Sequence, residues 1–337
     1  MNALVIRNPG EAAIEQVREP SKSNGSVLLK VRMVGLCGSD LNSFRGLNPM
    51  VSFPRIPGHE VSATILEGDF LDSRLKVGTD VAVFPYTNCG KCASCRRGRP
   101  NACQFNQTLG VQTDGALTEL IVLPQEKLYP ANLATKELCL VEPLTVGFHA
   151  VARGRVTATD TVAIFGCGGV GLGAVAASHF RGARTICIDV EDHKLELAKR
   201  AGANSTINTL REPLHKALLD MTDGLGPDVV IEAVGNPTTF RAAVEEVAFT
   251  GRVVYIGYAK EPVSYETKLF VQKELDILGA RNAQPEDFQA VIQLLEAGKF
   301  PVDQAVSLIV PLEKAPEALR SWSENPSQFT KILVSLD

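Results

Sequence analysis

From Thr161 to Phe180 the chain runs twenty residues without a single Asp, Glu, Lys or Arg. By length alone such a stretch is a candidate membrane span. Its internal pattern predicts otherwise. Thr161-Val162-Ala163-Ile164-Phe165 is a short β-branched and aromatic run typical of a strand buried on both faces. Gly166, Gly168, Gly169 and Gly171 come next, and the small-residue segment 172–178 then reads as a helix packed closely on a sheet. Downstream, apolar runs at 185–188, 229–231, 253–257 and 275–278 alternate with helical stretches at 192–201, 212–221 and 238–248. Gly202 stops the first of these helices. The alternation predicts an α/β fold, a doubly wound parallel sheet with helices on both faces.

The first 148 residues carry a different pattern. Short strands such as 27–34 and 80–84 are broken by Pro, Gly and Asn, with little helical periodicity, which predicts an irregular, mostly antiparallel β domain. Beyond the parallel sheet, helices near 285–297 and 313–322 and a final strand at 331–334 are expected to pack back onto the first domain. A length of 337 residues accommodates two domains, each with its own core.

Charge narrows the partners. The formal net charge is −4 with no long run of one sign, so no nucleic-acid partner is expected, and with 161–180 divided into strand, turn and helix no membrane partner either. Met1 to Arg7 holds too short an apolar stretch for a secretory leader, which predicts a cytoplasmic, reducing setting. In such a setting cysteine spacing reads as metal ligation rather than disulfide pairing. Cys89, Cys92, Cys95 and Cys103 lie within fifteen residues and supply the all-thiolate tetrahedral shell of a structural zinc site. The nearby Arg96, Arg97 and Arg99 read as local compensation for those thiolates. Cys139, Cys167 and Cys187 sit in apolar surroundings and read as small buried residues.

Two further patterns carry chemistry. Gly166-x-Gly168-x-x-Gly171 lies between strand and helix: the first glycine permits the tight turn, the second a close pyrophosphate, the third close helix–sheet contact. Phosphates would meet the free amides of the helix N-terminus. Asp189, at the end of the next strand, is placed for ribose hydroxyls and would repel a 2′-phosphate, which favours NAD over NADP. The second pattern is Cys37-Gly38-Ser39-Asp40 together with Gly58-His59-Glu60, and Glu142 in the otherwise apolar stretch 138–151. Cys, His and a carboxylate with an open fourth position make a catalytic zinc shell, so two zinc ions per chain are expected.

At these residues the chain resembles a known family, the zinc-dependent medium-chain alcohol and polyol dehydrogenases, over essentially its whole length. The resemblance rests on Gly35-Leu36-Cys37-Gly38-Ser39-Asp40, Pro57-Gly58-His59-Glu60, the four-cysteine lobe, Asp114-Gly115-Ala116, Val141-Glu142-Pro143 and Gly166-Cys167-Gly168-Gly169-Val170-Gly171, in the family's order. It implies a GroES-like β-barrel catalytic domain at 1–148, completed by 282–337, and a Rossmann NAD-binding domain at 149–281, with the active site between them. It also implies that Cys37 and His59 hold the catalytic zinc, with Glu142 or Glu60 completing the shell, and that Ser39 accepts the substrate proton. The family often continues the proton relay through a histidine five positions after the zinc cysteine; here that residue is Asn42, so Glu60 or ribose hydroxyls and water would take its place.

By the same resemblance Gly169, Val170 and Lys194 belong to the cofactor site, and Val234, Ile256, Gly257 and Arg281 border its nicotinamide half. Phe44, Glu142, Arg281 and Asn282 join Ser39 on the substrate side. The run 279–288 looks most like members that oxidise sugar acids and polyols, and Arg281 would pair with a substrate carboxylate. The implied reaction is hydride transfer from a secondary alcohol to NAD in a homodimer or homotetramer. L-threonine or another small secondary alcohol is the alternative substrate; a zinc-free quinone reductase and a non-catalytic zinc protein are the alternative functions.

Overall fold

The computed structural model describes residues 1–337, and the chain separates into two units, Met1–Pro143 with Val302–Asp337, and Leu144–Pro301. In the first, β1 (Asn2–Asn8) and β2 (Glu11–Gln16) form an antiparallel hairpin. The long β3 (Ser26–Leu36) is followed by the short helix α1 (Gly38–Phe44), then β4 (Glu60–Glu67), β5 (Asp80–Val83), β6 (Tyr86–Thr87), β7 (Gln107–Thr108), β8 (Leu120–Pro124) and β9 (Leu128–Pro130). A one-turn helix α2 (Ala93–Arg96) lies in the cysteine lobe between β6 and β7. On β3, Val27, Leu29 and Val31 are fully buried at alternate positions, as an antiparallel strand with one core face requires. A register shift against β4 between Val31 and Met33 then changes the parity, so Val34 and Leu36 face the core and Gly35 comes opposite Glu60.

The helix α3 (Thr135–Arg153) carries the chain across the division between units at Pro143. The second unit is a six-stranded parallel sheet of β10 (Thr161–Phe165), β11 (Arg184–Asp189), β12 (Ser205–Asn208), β13 (Val229–Glu232), β14 (Arg252–Tyr255) and β15 (Asp276–Gly279). Its order is β12-β11-β10-β13-β14-β15, so the chain winds outward from β10 in one direction and then returns to start again at β13. Five helices connect the strands: α4 (Gly169–Phe180), α5 (Asp192–Arg200), α6 (Leu214–Met221), α7 (Pro237–Glu246) and α8 (Lys268–Gln272). The doubly wound sheet expected from the alternation is therefore present, with β10 and β13 meeting at its topological switch point. No helix is long and apolar enough to cross a membrane.

After α9 (Pro285–Glu296) the chain returns to the first unit with α10 (Val302–Ala305), β16 (Leu308–Pro311), α11 (Ala315–Glu324) and β17 (Ile332–Ser335). β17 pairs antiparallel with β3, giving a sheet in the order β16-β17-β3-β4-β5-β9 with β8 also on β3. The division into compact units puts this return at Val302, whereas the family resemblance implies a boundary at 282. The reason is α9: its N-terminal Asp287 is hydrogen-bonded to buried His149 of α3 at 3.0 Å, and the helix belongs to the second unit. Several elements escaped the pattern, among them β12 and α3. β12, Ser-Thr-Ile-Asn, is an edge strand with too few apolar residues to form a run, and the apolar stretch that holds Glu142 is part of helix α3.

The α3–α4 crossing explains the small-residue composition noted in 172–178. A Cβ on Gly147 would lie 2.1 Å from the Ala174 amide nitrogen, and one on Gly173 would lie 2.6 Å from the Leu144 carbonyl oxygen. The two backbones touch. Helix propensity favours Ala over Gly by about 1 kcal/mol, yet Gly147→Ala or Gly173→Ala is expected to lose about 1–3 kcal/mol through overpacking. Urea unfolding checks the sign, and a raised midpoint would contradict the contact.

Candidate metal centres and nucleotide site

In the cysteine lobe, the thiols fold into one cluster. Cys92 caps α2, Cys95 lies inside it, and the sulfur of Cys92 is 3.4 Å from Cys95 and 3.7 Å from Cys103, with Cys103 3.6 Å from Cys89. Four sulfurs about 2.3 Å from a tetrahedral zinc would stand about 3.8 Å apart, so the cluster needs only slight expansion to receive the ion. Backbone amides already point at the sulfurs: Cys89 and Phe105 donate to Cys103, and Cys92 donates to Cys89, at 3.3–3.4 Å. Amide donation favours thiolate. The hydroxyl of Ser94 and then the Cys95 amide draw the Cys92 thiol down to about 5, whereas burial, with neighbouring thiols, pushes Cys95 up to about 11.

The second cluster lies in the sheet of the same unit. Cys37 caps α1 where β3 ends, and His59 and Glu60 enter β4, so that single donor atoms of all three lie within 4.8 Å of one another. Asp40 joins the two chain segments. One carboxylate oxygen accepts from the Cys37 amide at 2.9 Å, the other accepts from the Gly58 amide at 3.2 Å and stands 3.9 Å from His59 Nδ1. The Asp114-Gly115-Ala116 segment braces the histidine loop from the other side, its amides donating to Ile56 and Gly58 carbonyls at 2.7 and 2.9 Å. Burial pushes the His59 imidazolium down, but the Asp40 carboxylate and the Cys37 sulfur outweigh it and hold its pKa well above the usual range.

The two carboxylates of the set are held differently. Glu60 folds over β3, where a Cβ on Gly35 would stand 2.0 Å from its Oε2; only glycine opposite it leaves room. There Lys331 donates to both carboxylate oxygens at 2.6 and 2.7 Å and to the Leu36 carbonyl at 3.2 Å, with both side chains buried. Glu142, buried in α3, accepts a hydrogen bond from the phenol of Tyr86. Burial raises the Glu142 carboxyl, opposed by His59 and Tyr86, and burial likewise raises the Tyr86 phenol well above its usual value.

Three of the expected residues, Cys37, His59 and Glu60, are thus brought together as one potential metal set, while Phe44 is a packed residue of α1, 5% exposed. Ser39 Oγ and His59 Nδ1 are buried with no hydrogen-bond partner. A soft thiolate, an imidazole and a carboxylate, with orphaned polar atoms beside them, fit zinc and a hydroxyl ligand. Sequence reasoning gave no role to Asp40, Tyr86 or Lys331. Asp40 stood within a quoted motif; Lys331 left only the signal of a lone cation before an apolar C-terminal run.

In the second unit the glycine segment follows β10. Gly166 has φ +91, a conformation that favours glycine, and Gly168 caps α4 with no atom within 4 Å of the Cβ it lacks. Asp189 ends β11; its oxygens accept from the Cys167 amide at 2.8 Å and from the Val190 and Glu191 amides at 2.8 and 3.1 Å. It therefore braces the glycine turn. Lys194 is half-buried in α5. Val234 follows β13, Ile256 and Gly257 follow β14, and Arg281 and Asn282 follow β15, so all lie at the C-terminal ends of the strands. Ligands of open α/β sheets bind at that end, by the switch point.

Comparison with known proteins bears on these geometries. The family profile described as "Zinc-binding dehydrogenase" matches residues 169–297, and that described as "Alcohol dehydrogenase GroES-like domain" matches residues 23–133. Sorbitol dehydrogenase of Bacillus subtilis (strain 168) is 33% identical over 99% of this chain and 97% of its own length. This chain belongs to the zinc-binding alcohol dehydrogenase family. L-galactonate-5-dehydrogenase of Escherichia coli (strain K12) is 30% identical over 99% of both proteins. A solved structure from E. coli CFT073, described as an alcohol dehydrogenase complexed with cofactor NADH, superposes with a TM-score of 0.91 at 29% identity, covering 100% of this dehydrogenase and 99% of that chain. The GroES-like and Rossmann-type architecture is accordingly that of the family. In this alcohol dehydrogenase the loss of Lys331 leaves the Glu60 carboxylate buried without its cation. Lys331→Ala is expected to cost about 3–5 kcal/mol in urea unfolding of the metal-free protein, and a cost below about 1 kcal/mol, the level of an exposed pair, would contradict the buried ion pair.

Proposed function

We propose that this alcohol dehydrogenase oxidises a secondary alcohol of a polyol or sugar acid to the ketone, with NAD+ as acceptor, using Cys37, His59 and a carboxylate as catalytic zinc ligands and the four-cysteine lobe as a structural zinc site. The observation that carries the reading is the convergence of Cys37, His59 and Glu60 beside an unpartnered Ser39 hydroxyl. When bound, zinc supplies Lewis acidity to the substrate hydroxyl and NAD+ supplies the hydride acceptor. Ser39 accepts the hydroxyl proton at its Oγ. Asp40 keeps the Cys37 and His59 segments in register. Lys331 neutralises Glu60, and Tyr86 orients Glu142 through its phenol.

On the cofactor side, Asp189 receives the adenosine ribose hydroxyls and its charge disfavours a 2′-phosphate, with Lys194 beside it. The amides at the start of α4, from Gly168 to Gly171, receive the pyrophosphate. Polyol and sugar-acid substrates are supported by the sorbitol and L-galactonate dehydrogenases among the relatives and by Arg281, whose guanidinium would hold a substrate carboxylate. Assembly as a homodimer or homotetramer in the cytoplasm belongs to the same reading.

Elemental analysis is expected to find two zinc ions per chain, and Cys37→Ser to retain one while losing about a thousandfold or more in kcat/KM, the scale of a removed electrostatic catalyst. Full activity of that variant after chelation would overturn the catalytic assignment. A screen of NAD+ reduction over aldonates, hexitols, pentitols, their phosphates and threonine identifies the substrate class. Within it, Arg281→Ala is expected to raise KM for aldonates far more than for sorbitol; equal effects would remove the sugar-acid reading.

A further inference from the structure

On the far side of β10 from Asp189 stands a second strand-end carboxylate, Glu232, the last residue of β13. It is fully buried, and it pairs in register with Phe165 of β10 and Tyr255 of β14, so it lies beside the switch point. Its Oε1 accepts from the amides of Val234 and Gly235 at 3.0 and 2.8 Å and from the Thr239 hydroxyl at 2.7 Å. Its backbone carbonyl accepts from the amides of Ile256 and Gly257 at 2.9 and 3.2 Å. Its Oε2 is buried without a partner and stands 2.5 Å from the place a Cβ on Gly257 would occupy. Gly257 is equally confined by the Gly235 amide, 2.4 Å from the same point.

One residue therefore ties together the turn after β13 and the turn after β14. Resting on the proposed cofactor reading, which assigns both turns to the nicotinamide half of the site, we infer that Glu232 is the positioning residue that shapes this half, as Asp189 braces the pyrophosphate half. A carboxylate here does what no apolar residue of similar size can do. Without it, two turn amides and a hydroxyl lose their acceptor, and buried or half-buried donors seek other partners by moving the turn. On the other side of β10, the Cys167 amide and the turn after β11 take their acceptor from Asp189, not from Glu232.

The test compares ligands that share one half of the cofactor. NADH binding is followed by its fluorescence and AMP binding by calorimetry, for the wild-type protein and for Glu232→Ala, Glu232→Gln and Thr239→Ala. In Glu232→Ala the NADH dissociation constant is expected to rise about tenfold or more while that of AMP stays within about twofold, because the turns at one end of the ligand lose the carboxylate that holds them. Glu232→Gln keeps an accepting oxygen for the three donors and is expected to remain within about threefold of wild type for NADH. Thr239→Ala, which removes a single donor from a half-buried position, is expected to weaken NADH by about twofold to fivefold.

Unchanged NADH affinity in Glu232→Ala, or equal losses for NADH and AMP, overturns the positioning role. Should Glu232→Ala not fold, Thr239→Ala decides: the same selective loss of NADH supports the role, and an affinity equal to wild type refutes it. A wild-type protein that binds neither ligand overturns the cofactor reading itself, and with it the role of Glu232.

Discussion

Four acids, Cys37, Asp40, Glu60 and Glu142, are gathered around one buried place in the first unit, with His59 and Lys331 as the cation-forming groups among them. Burying one ionised carboxylate in a medium of low dielectric is costly, and burying several together adds mutual repulsion. The local structure is a set of answers to that single constraint. Asp40 is satisfied by two amides, Glu142 by a phenol, and Glu60 by a buried lysine that donates to both its oxygens. What these partners leave over is a surplus of negative charge that holds the His59 pKa well above its usual range, and a divalent cation on the same donors would balance it. The family membership and the donor set therefore point the same way for one physical reason.

Satisfying those groups requires backbone to come unusually close to side chain. Gly35 is glycine because the Glu60 carboxylate occupies the space of its side chain, and the Val31–Met33 bulge is what turns Gly35 toward Glu60. The Asp114-Gly115-Ala116 segment pairs with the His59 loop through main-chain bonds, which fixes the histidine without adding another charge. Burial of the core then makes these arrangements rigid: β3 and β4 contribute Leu29, Val31, Val34, Val61, Ala63 and Ile65, all at most 1% exposed. Close packing of this kind transmits a small displacement at one position to its neighbours.

The second unit solves a related problem with the same device. Each strand beside β10 ends in an acid, Asp189 on β11 and Glu232 on β13, and each acid collects the amides of the turns around it. Turns at the C-terminal ends of parallel strands have many unpaired amides, and a strand-end carboxylate organises them while leaving the helix N-terminus of α4 free for an anion.

Much of this was legible in the chain itself. The parallel sheet followed from apolar runs alternating with helices, because strands buried on both faces must be apolar along their length. The cysteine lobe and the glycine turn followed from spacing, because their ligands lie within a few residues of one another and local geometry fixes what they can form. Where the pattern was polar or irregular it gave less: β12 at the sheet edge, the helical setting of Glu142 and the point where the chain re-enters the first unit were set by packing partners that no local run encodes. The metal site shows the division most clearly. Cys37, His59 and Glu60 identified themselves by residue type, whereas the partner that neutralises Glu60 is Lys331, 271 positions away, which the pairing of β17 with β3 brings there. Sequence alone determined which chemistry-bearing residues the chain possesses and which local turns hold them. The tertiary structure decided which buried charges compensate one another, because that depends on distance through space and on exclusion of water, neither of which is written in neighbouring positions.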